Sequence, residues 1–373
     1  MHIEKLLKRT ILTRVPALFW GPPGVGKSSV IRSFCRKQGY ECITIIASYR
    51  EPQDFGGLPV IDQKGIRVGD RDYVVARLAP PDWAVKAATS DRPAVAFIDE
   101  ITCTPPAVQA PLLRVVNELV VGEFQLPPER VAVIAAANPP EQAAGGWDLA
   151  PPLANRFAHF QFNLDRADWA ERFPTYWGAP PEIKFAGEVL DAEKWARSRS
   201  LVAAYINARQ MALLRVPDEA SNASRAWPSP RSWDAASRFM AIAGDDADEV
   251  IEMVSGCIGP ADTTEFATWL KQMDLPDPEE ILKNPKGYTF PERGDHTYAV
   301  LASVAAAVAN RNTPERWEKG WDVIASAADQ AKTDLAVMAA RVLATNQPRG
   351  AKGVPKQVAK LTPILKAAGL LGK

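Results

Sequence analysis

The residues best placed to do chemistry are Gly21-Pro22-Pro23-Gly24-Val25-Gly26-Lys27-Ser28, directly after the apolar run Val15 to Trp20. A Gly, four residues and then Gly-Lys-Ser is the spacing of a phosphate-binding loop. Glycines let successive backbone N–H groups curl around phosphate oxygens where a Cβ would clash, and the helix that follows turns its positive end to the same anion. Lys27 has the reach for β- and γ-phosphates, and the Ser28 hydroxyl can ligate Mg2+. A glycine-rich turn can match this spacing by chance, but the context argues against it. Ser29 onward reads as an amphipathic helix with Val30, Ile31 and Phe34 on one face, the setting the loop requires. The run from Gly21 to Ser29 is therefore expected to bind nucleotide.

Asp99-Glu100 closes the apolar run Ala94 to Ile98 and supplies two adjacent carboxylates. A parallel strand carrying them is expected beside the strand of the phosphate loop, with its C-terminal end facing the nucleotide. Asp99 could then serve Mg2+ and Glu100 could polarise or deprotonate an attacking water. The competing role for the pair is to cap the next helix. Asn138 ends the run Val131 to Ala137 just before Pro139-Pro140, where an amide could orient both a phosphate and a water, or simply make an Asx turn. Two arginines stand at element boundaries, Arg156 in Leu153-Ala154-Asn155-Arg156-Phe157 and Arg231 in Pro228-Ser229-Pro230-Arg231-Ser232. A fixed positive charge on the γ-phosphate stabilises a loose phosphoryl-transfer transition state; each arginine by itself would otherwise be an ordinary surface cation.

The elements that must position these groups follow from periodicity. Residues 3 to 13 make a short amphipathic helix. Cys42 to Ala47, Ala94 to Ile98 and Val131 to Ala137 read as fully buried strands, and Ala158 to Leu164 alternates like a half-exposed edge strand. Between them, 49–82 is glycine-rich and charged, with a hairpin around Gly65 to Val75 and a helix from Pro81 to Ala88. Pro105 to Glu118 is helical, and Leu119 to Pro128 folds back at Gly122. Short buried strands alternating with helices specify a three-layer α/β domain with a mainly parallel sheet. Beyond residue 165 the strand signal stops. A helix over 192–213 is followed by helices at 230–243, 246–257, 261–273, 296–310, 314–331 and 332–344, with a proline-rich break from Leu275 to Glu292.

Composition narrows the partners. The chain has 373 residues, 47% hydrophobic and 24% charged, with 44 basic and 44 acidic side chains. A net charge of zero gives no global attraction to nucleic acid or an anionic membrane. Four cysteines without metal spacing and three histidines argue against a zinc site and for a reduced, cytoplasmic setting. The charged N-terminus lacks a signal-peptide core, and Tyr298 to Ala309 is too short to span a bilayer. From Arg349 the tail carries Lys352, Lys356, Lys360, Lys366 and Lys373 and no acid, which is a solvated helix or a dock for an acidic partner.

In this order, the motifs resemble those of an AAA+ ATPase, and within that superfamily the MoxR group. The Walker A segment is GPPGVGKS, Walker B is AVAFIDE, sensor 1 is VIAAAN, the arginine-finger segment is LANRF, and PSPRS is similar to the group's sensor 2. The resemblance implies ATP and Mg2+ as ligands, with Lys27 and Ser28 on phosphate and metal, Asp99 on the metal and Glu100 as base. It makes Asn138 sensor 1, sends Arg156 into a neighbouring subunit's site and has Arg231 report nucleotide state. It also implies a core at 1–165 with a helix-2 insertion at 49–82 and a pre-sensor-1 hairpin at 119–130. A helical lid follows at 166–260; the helical extension at 261–373 carries no transferable motif. The pore of the implied ring, a hexamer, would present Phe55, Leu58 and Phe124. Asn155-Arg156 departs from the group's frequent Asp-Arg. The implied activity is remodelling of a protein client, a von Willebrand factor A-type partner in the group's usual arrangement. The competing functions are a nucleic-acid motor, a metal-chelatase motor subunit and an ATP-dependent scaffold without turnover.

Overall fold

A computed structural model describes residues 3–139, 142, 146–175, 183–185, 187–217, 225–243, 246–273, 275–351 and 361. The chain divides into two compact units, Met1–Asn163 and Leu164–Lys373.

The first unit is built on five parallel strands: β1 (Ala17–Trp20), β2 (Glu41–Ile46), β5 (Ala94–Asp99), β8 (Val131–Ala137) and β9 (Ala158–Gln161), in the order β2-β5-β8-β1-β9. Period-two alternation buries both faces of the central strands. Leu18, Ala96, Ile98, Val133 and Ala135 join the cluster under α4 (Asp82–Thr89) and α5 (Pro106–Glu118). Phe19, Val95, Phe97 and Ile134 join the one under α1 (Ile3–Thr13) and α2 (Lys27–Gln38). This is the three-layer αβα arrangement expected from the strand and helix pattern.

Two expectations about the sheet are corrected. β5 does not lie beside β1, because β8 pairs with both and separates them. Every residue of β8 is buried, and its alanines and valines fit the most enclosed position in the sheet. β2 is half-buried rather than fully buried, since it is an outer strand that pairs only with β5. An apolar β-branched run carries no mark of whether one neighbour or two will flank it.

The glycine-rich stretch after β2 holds a short helix α3 (Gln53–Gly56) and a long ribbon of β3 (Leu58–Val68) and β4 (Arg71–Ala79), with a register shift between Asp62 and Ile66. Phe55 is fully buried against Trp83, with ring centroids 6.2 Å apart. It is a core residue and not the pore contact expected of it. The second hairpin, β6 (Val120–Val121) and β7 (Phe124–Gln125), turns at Gly122. Phe124 is half-buried against the same core, while Leu58 is 56% exposed.

The second unit is almost wholly helical. The helix expected over 192–213 ends at Ala208 and continues as a 3-10 turn, Gln210–Leu213. A short helix, Pro278–Lys283, stands inside the proline-rich break, started by Asp277 accepting from the backbone of Glu279. A ribbon of Lys184–Phe185 with Glu188–Val189 is a small departure from an all-α unit. One hydrophobic cluster runs from Trp169 to Leu361 and includes the fully buried Trp233, Trp269, Trp317 and Trp321. Lys352, Lys356, Lys360, Lys366 and Lys373 of the basic tail lie outside the described residues.

Candidate nucleotide site

Parallel strands all end on one edge of the sheet, so the loops after β1, β5 and β8 converge there. The loop after β1 runs from Gly21 into α2. Gly26 caps α2 in the left-handed region at φ 96°, and no side chain caps the helix, which leaves its first-turn amides for an anion. At Gly21 the constraint is space and not φ. A Cβ there would stand 3.2 Å from Phe162 Cβ and 3.3 Å from its carbonyl oxygen.

Side-chain hydrogen bonds tie the loops together. Lys27, only 7% exposed, donates to the carbonyls of Gly21 (2.6 Å) and Pro22 (2.9 Å) and to Asn138 Oδ1 (2.8 Å). Ser28 Oγ donates to Asp99 Oδ2 at 2.5 Å. Ser48 Oγ donates to Glu100 Oε2 at 2.6 Å. Glu100 itself takes a left-handed conformation, φ 58° and ψ 38°, strained for a residue with a Cβ. The strand alternation breaks there, and both carboxylates stay at the edge where the loops meet. Thr102 holds the segment after β8 by donating to the Asn138 carbonyl at 3.2 Å.

Lys27, Ser28, Asp99, Glu100 and Asn138 are thus brought together with the loop Gly21 to Ser29, in which Ser29 is exposed. Arg156 is not. Arg156 precedes Ala158, which pairs with Ala17 at the opposite end of β1. Four residues of strand, about 13 Å at ~3.3 Å per residue, separate that level from Gly21. Its Nη1 donates to the Pro152 carbonyl at 2.5 Å. Arg231 belongs to the second unit, exposed in the first turn of the helix Pro230–Ala243. That turn is fixed by Ser229 and Ser232, each donating a backbone N–H to the other's hydroxyl, at 2.7 and 3.2 Å respectively.

No motif in the sequence marks Ser48 as a site residue. A serine one residue past an apolar strand is unremarkable, and its partner lies 52 positions away. Its one available signal was position, since parallel β2 must end on the same edge as β5.

Fold and site define a P-loop nucleotide-binding domain. Residues 16–157 match the family described as the AAA domain, dynein-related subfamily. Several solved structures are similar over most of the chain. RuvB of Thermotoga maritima, the Holliday junction branch migration motor, is 16% identical, with 82% of this chain and 81% of that one covered and a TM-score of 0.32. A protein of Cytophaga hutchinsonii described as a candidate ATPase is 18% identical over 73% and 88%, with a TM-score of 0.33. NtrX of Brucella abortus in complex with ADP is 13% identical over 98% and 67%, with a TM-score of 0.36. Among the described residues no helix is long and apolar enough to cross a membrane.

Proposed function

We propose that this protein is a MoxR-like ATPase that hydrolyses ATP at the interfaces of a homo-oligomeric ring, a hexamer, and uses the turnover to remodel a protein client. The observation that carries the reading is the position of Arg156. The finger-type arginine stands at the edge of the sheet opposite its own phosphate loop, so it can serve only a nucleotide held by another copy.

The chain's own groups divide the work. First-turn amides of α2 and the Lys27 ammonium bind phosphate oxygens, which are stronger acceptors than the Gly21 and Pro22 carbonyls that Lys27 now contacts. The Ser28 hydroxyl and Asp99 carboxylate, already in contact, are the hard oxygen donors that suit Mg2+, so these two residues would hold it. Bound there, Mg2+ supplies charge neutralisation on the phosphates. Glu100 takes the proton of the attacking water; Ser48 orients its carboxylate through one oxygen and leaves the other available. Asn138, fixed by Lys27 and Thr102, aligns the water with the phosphate. Arg231 reads nucleotide state from the helical unit.

A protein client suits the exposed ribbon. Leu58, Val60, Ile66, Val68 and Tyr73 share one face of β3–β4 and are 42–63% exposed, an apolar surface of the kind that contacts other proteins. A von Willebrand factor A-type client rests on the family resemblance. No basic track in the described residues favours a nucleic-acid motor.

The test is mass by light scattering and ATP turnover, measured together over a range of chain concentrations for wild type and Glu100→Gln. Turnover per chain should rise with assembly, and the variant should bind ATP, accumulate the ring and turn over about 10²–10⁴-fold more slowly. Full turnover by a dilute monomer would sink the proposal.

A further inference from the structure

The sheet's other edge carries a second polar site. A cleft of about 440 Å3 opens where β1, β8 and β9 begin, lined by Arg14, Asn117, Val131, Val133, Asn155 and Arg156 among others. That is the volume range of small-ligand sites. Among the described residues lining it there are two arginines and no carboxylate. Two guanidinium groups facing one cleft without a counter-charge repel each other, and an anion between them removes that repulsion.

Each arginine is held in a way that leaves donors for such an anion. Arg156 spends Nη1 on the Pro152 carbonyl, while its buried Nε has no hydrogen-bond partner. Arg14 donates one Nη2 contact to the Glu129 carbonyl and is otherwise exposed. Its backbone is the more telling feature. Arg14 follows the last residue of α1 with φ 58°, the left-handed position that closes helices and that glycine fills without strain. An arginine there accepts a backbone penalty in return for placing a guanidinium at the cleft. Asn117 and Asn155, at the same mouth, add amide donors.

We propose that this cleft is a phosphate-binding site in which Arg14 acts with Arg156, the phosphate being that of a nucleotide carried by a neighbouring copy. The inference rests on the ring reading for the phosphate's source, though not for the site itself. Arg156 meets the transferred phosphate, and Arg14 is a second binding residue for the same chain of phosphates.

Arg14→Gly tests it cleanly, because glycine relieves the left-handed backbone and the variant should melt at or above the wild-type temperature. In a Lys27→Ala background, which disables the phosphate loop, inorganic pyrophosphate titrated calorimetrically should bind at one site per chain. Adding Arg14→Gly should weaken that binding about tenfold or more, as expected for losing one charged hydrogen-bonding group. Equal pyrophosphate affinity with and without Arg14, or no binding in the Lys27→Ala protein, overturns the site. In the otherwise wild-type chain, Arg14→Gly should also lower ATP turnover at assembling concentrations about tenfold. If pyrophosphate binding is lost and turnover is unchanged, the phosphate is a free anion and the neighbour's nucleotide is excluded as its source. If wild type turns over no ATP at all, hydrolysis fails as a reading while the pyrophosphate titration still decides the site.

Discussion

The two edges of the parallel sheet make opposite kinds of site from the same five strands. At the C-terminal edge every charged group is already engaged: Lys27 with Asn138, Ser28 with Asp99, Ser48 with Glu100. Cation, carboxylates and helix amides there suit an anion, a metal and an attacking water together. At the N-terminal edge the charged lining is cationic only, Arg14 and Arg156. Neither edge holds a complete set for phosphoryl transfer, because the first lacks a finger and the second lacks a loop and a base. The difference teaches that strand polarity puts Lys27, Asp99 and Glu100 on one side of the subunit and Arg156 on the other, and on the proposed reading a complete site draws on two subunits.

The largest expected effect separates the edges most sharply. Arg156→Ala should lower turnover by the assembled protein about 10³-fold or more while the chain's own ATP affinity, read by calorimetry, stays near wild type. A parallel loss of affinity would place Arg156 at its own loop and break the comparison. Lys27→Ala attacks the other edge. Removing a buried ammonium that meets phosphate should weaken ATP binding about 10²-fold, and it should also cost stability, since Asn138 Oδ1 loses its donor. Equilibrium binding and thermal melting read the two effects separately. Ser48→Ala should slow turnover about tenfold with ATP affinity unchanged, the scale of one hydrogen bond to a charged group. If turnover does not move, Ser48 does not position Glu100.

The smallest effect lies in the helical unit, where charge pairs support the fold and not a site. Arg316 holds Glu279 through both carboxylate oxygens at 2.7 and 2.8 Å, and this pushes the carboxyl below its ordinary value of 4.5. A carboxylate depressed in the folded state stabilises above its unfolded value and loses that contribution as pH falls through the folded one. Glu279→Gln should therefore cost about 1 kcal/mol at neutral pH, typical of a partly exposed pair, and the gap to wild type should close below pH 4.5. Denaturant melts at pH 7 and pH 3 measure it; a constant gap would mean the side chain packs and does not pair.

The nucleotide edge was legible because its signals are contiguous. Loop, lysine and serine fall within eight residues, and the two carboxylates and Asn138 each close a buried strand, so parallel polarity alone gathers them. The order of strands was not legible. Nothing in Val131 to Ala137 says that this run, and not Ala94 to Asp99, lies against β1; that follows from which strand can bury both faces completely. Phe55 is a core residue because α3, only four residues long, turns it inward onto Trp83, and so short a helix has no period to detect. Ser48 and Arg14 escaped because their meaning comes from partners far along the chain. In the helical unit the element positions followed the periodicity, while the helix Pro278–Lys283 was hidden by the prolines around it, one of which starts it.

One measurement tests the central claim, that a single working site draws on both edges of two chains. Arg156→Ala and Glu100→Gln proteins, each close to inactive alone, are mixed and ATP turnover is followed against mixing ratio. A Glu100→Gln chain can lend its arginine to an Arg156→Ala neighbour that still has its base, so mixing should restore turnover, with a maximum at an intermediate ratio. If both variants bind ATP and co-assemble but every mixture stays as inactive as its parts, the two edges do not complete each other and the account is wrong.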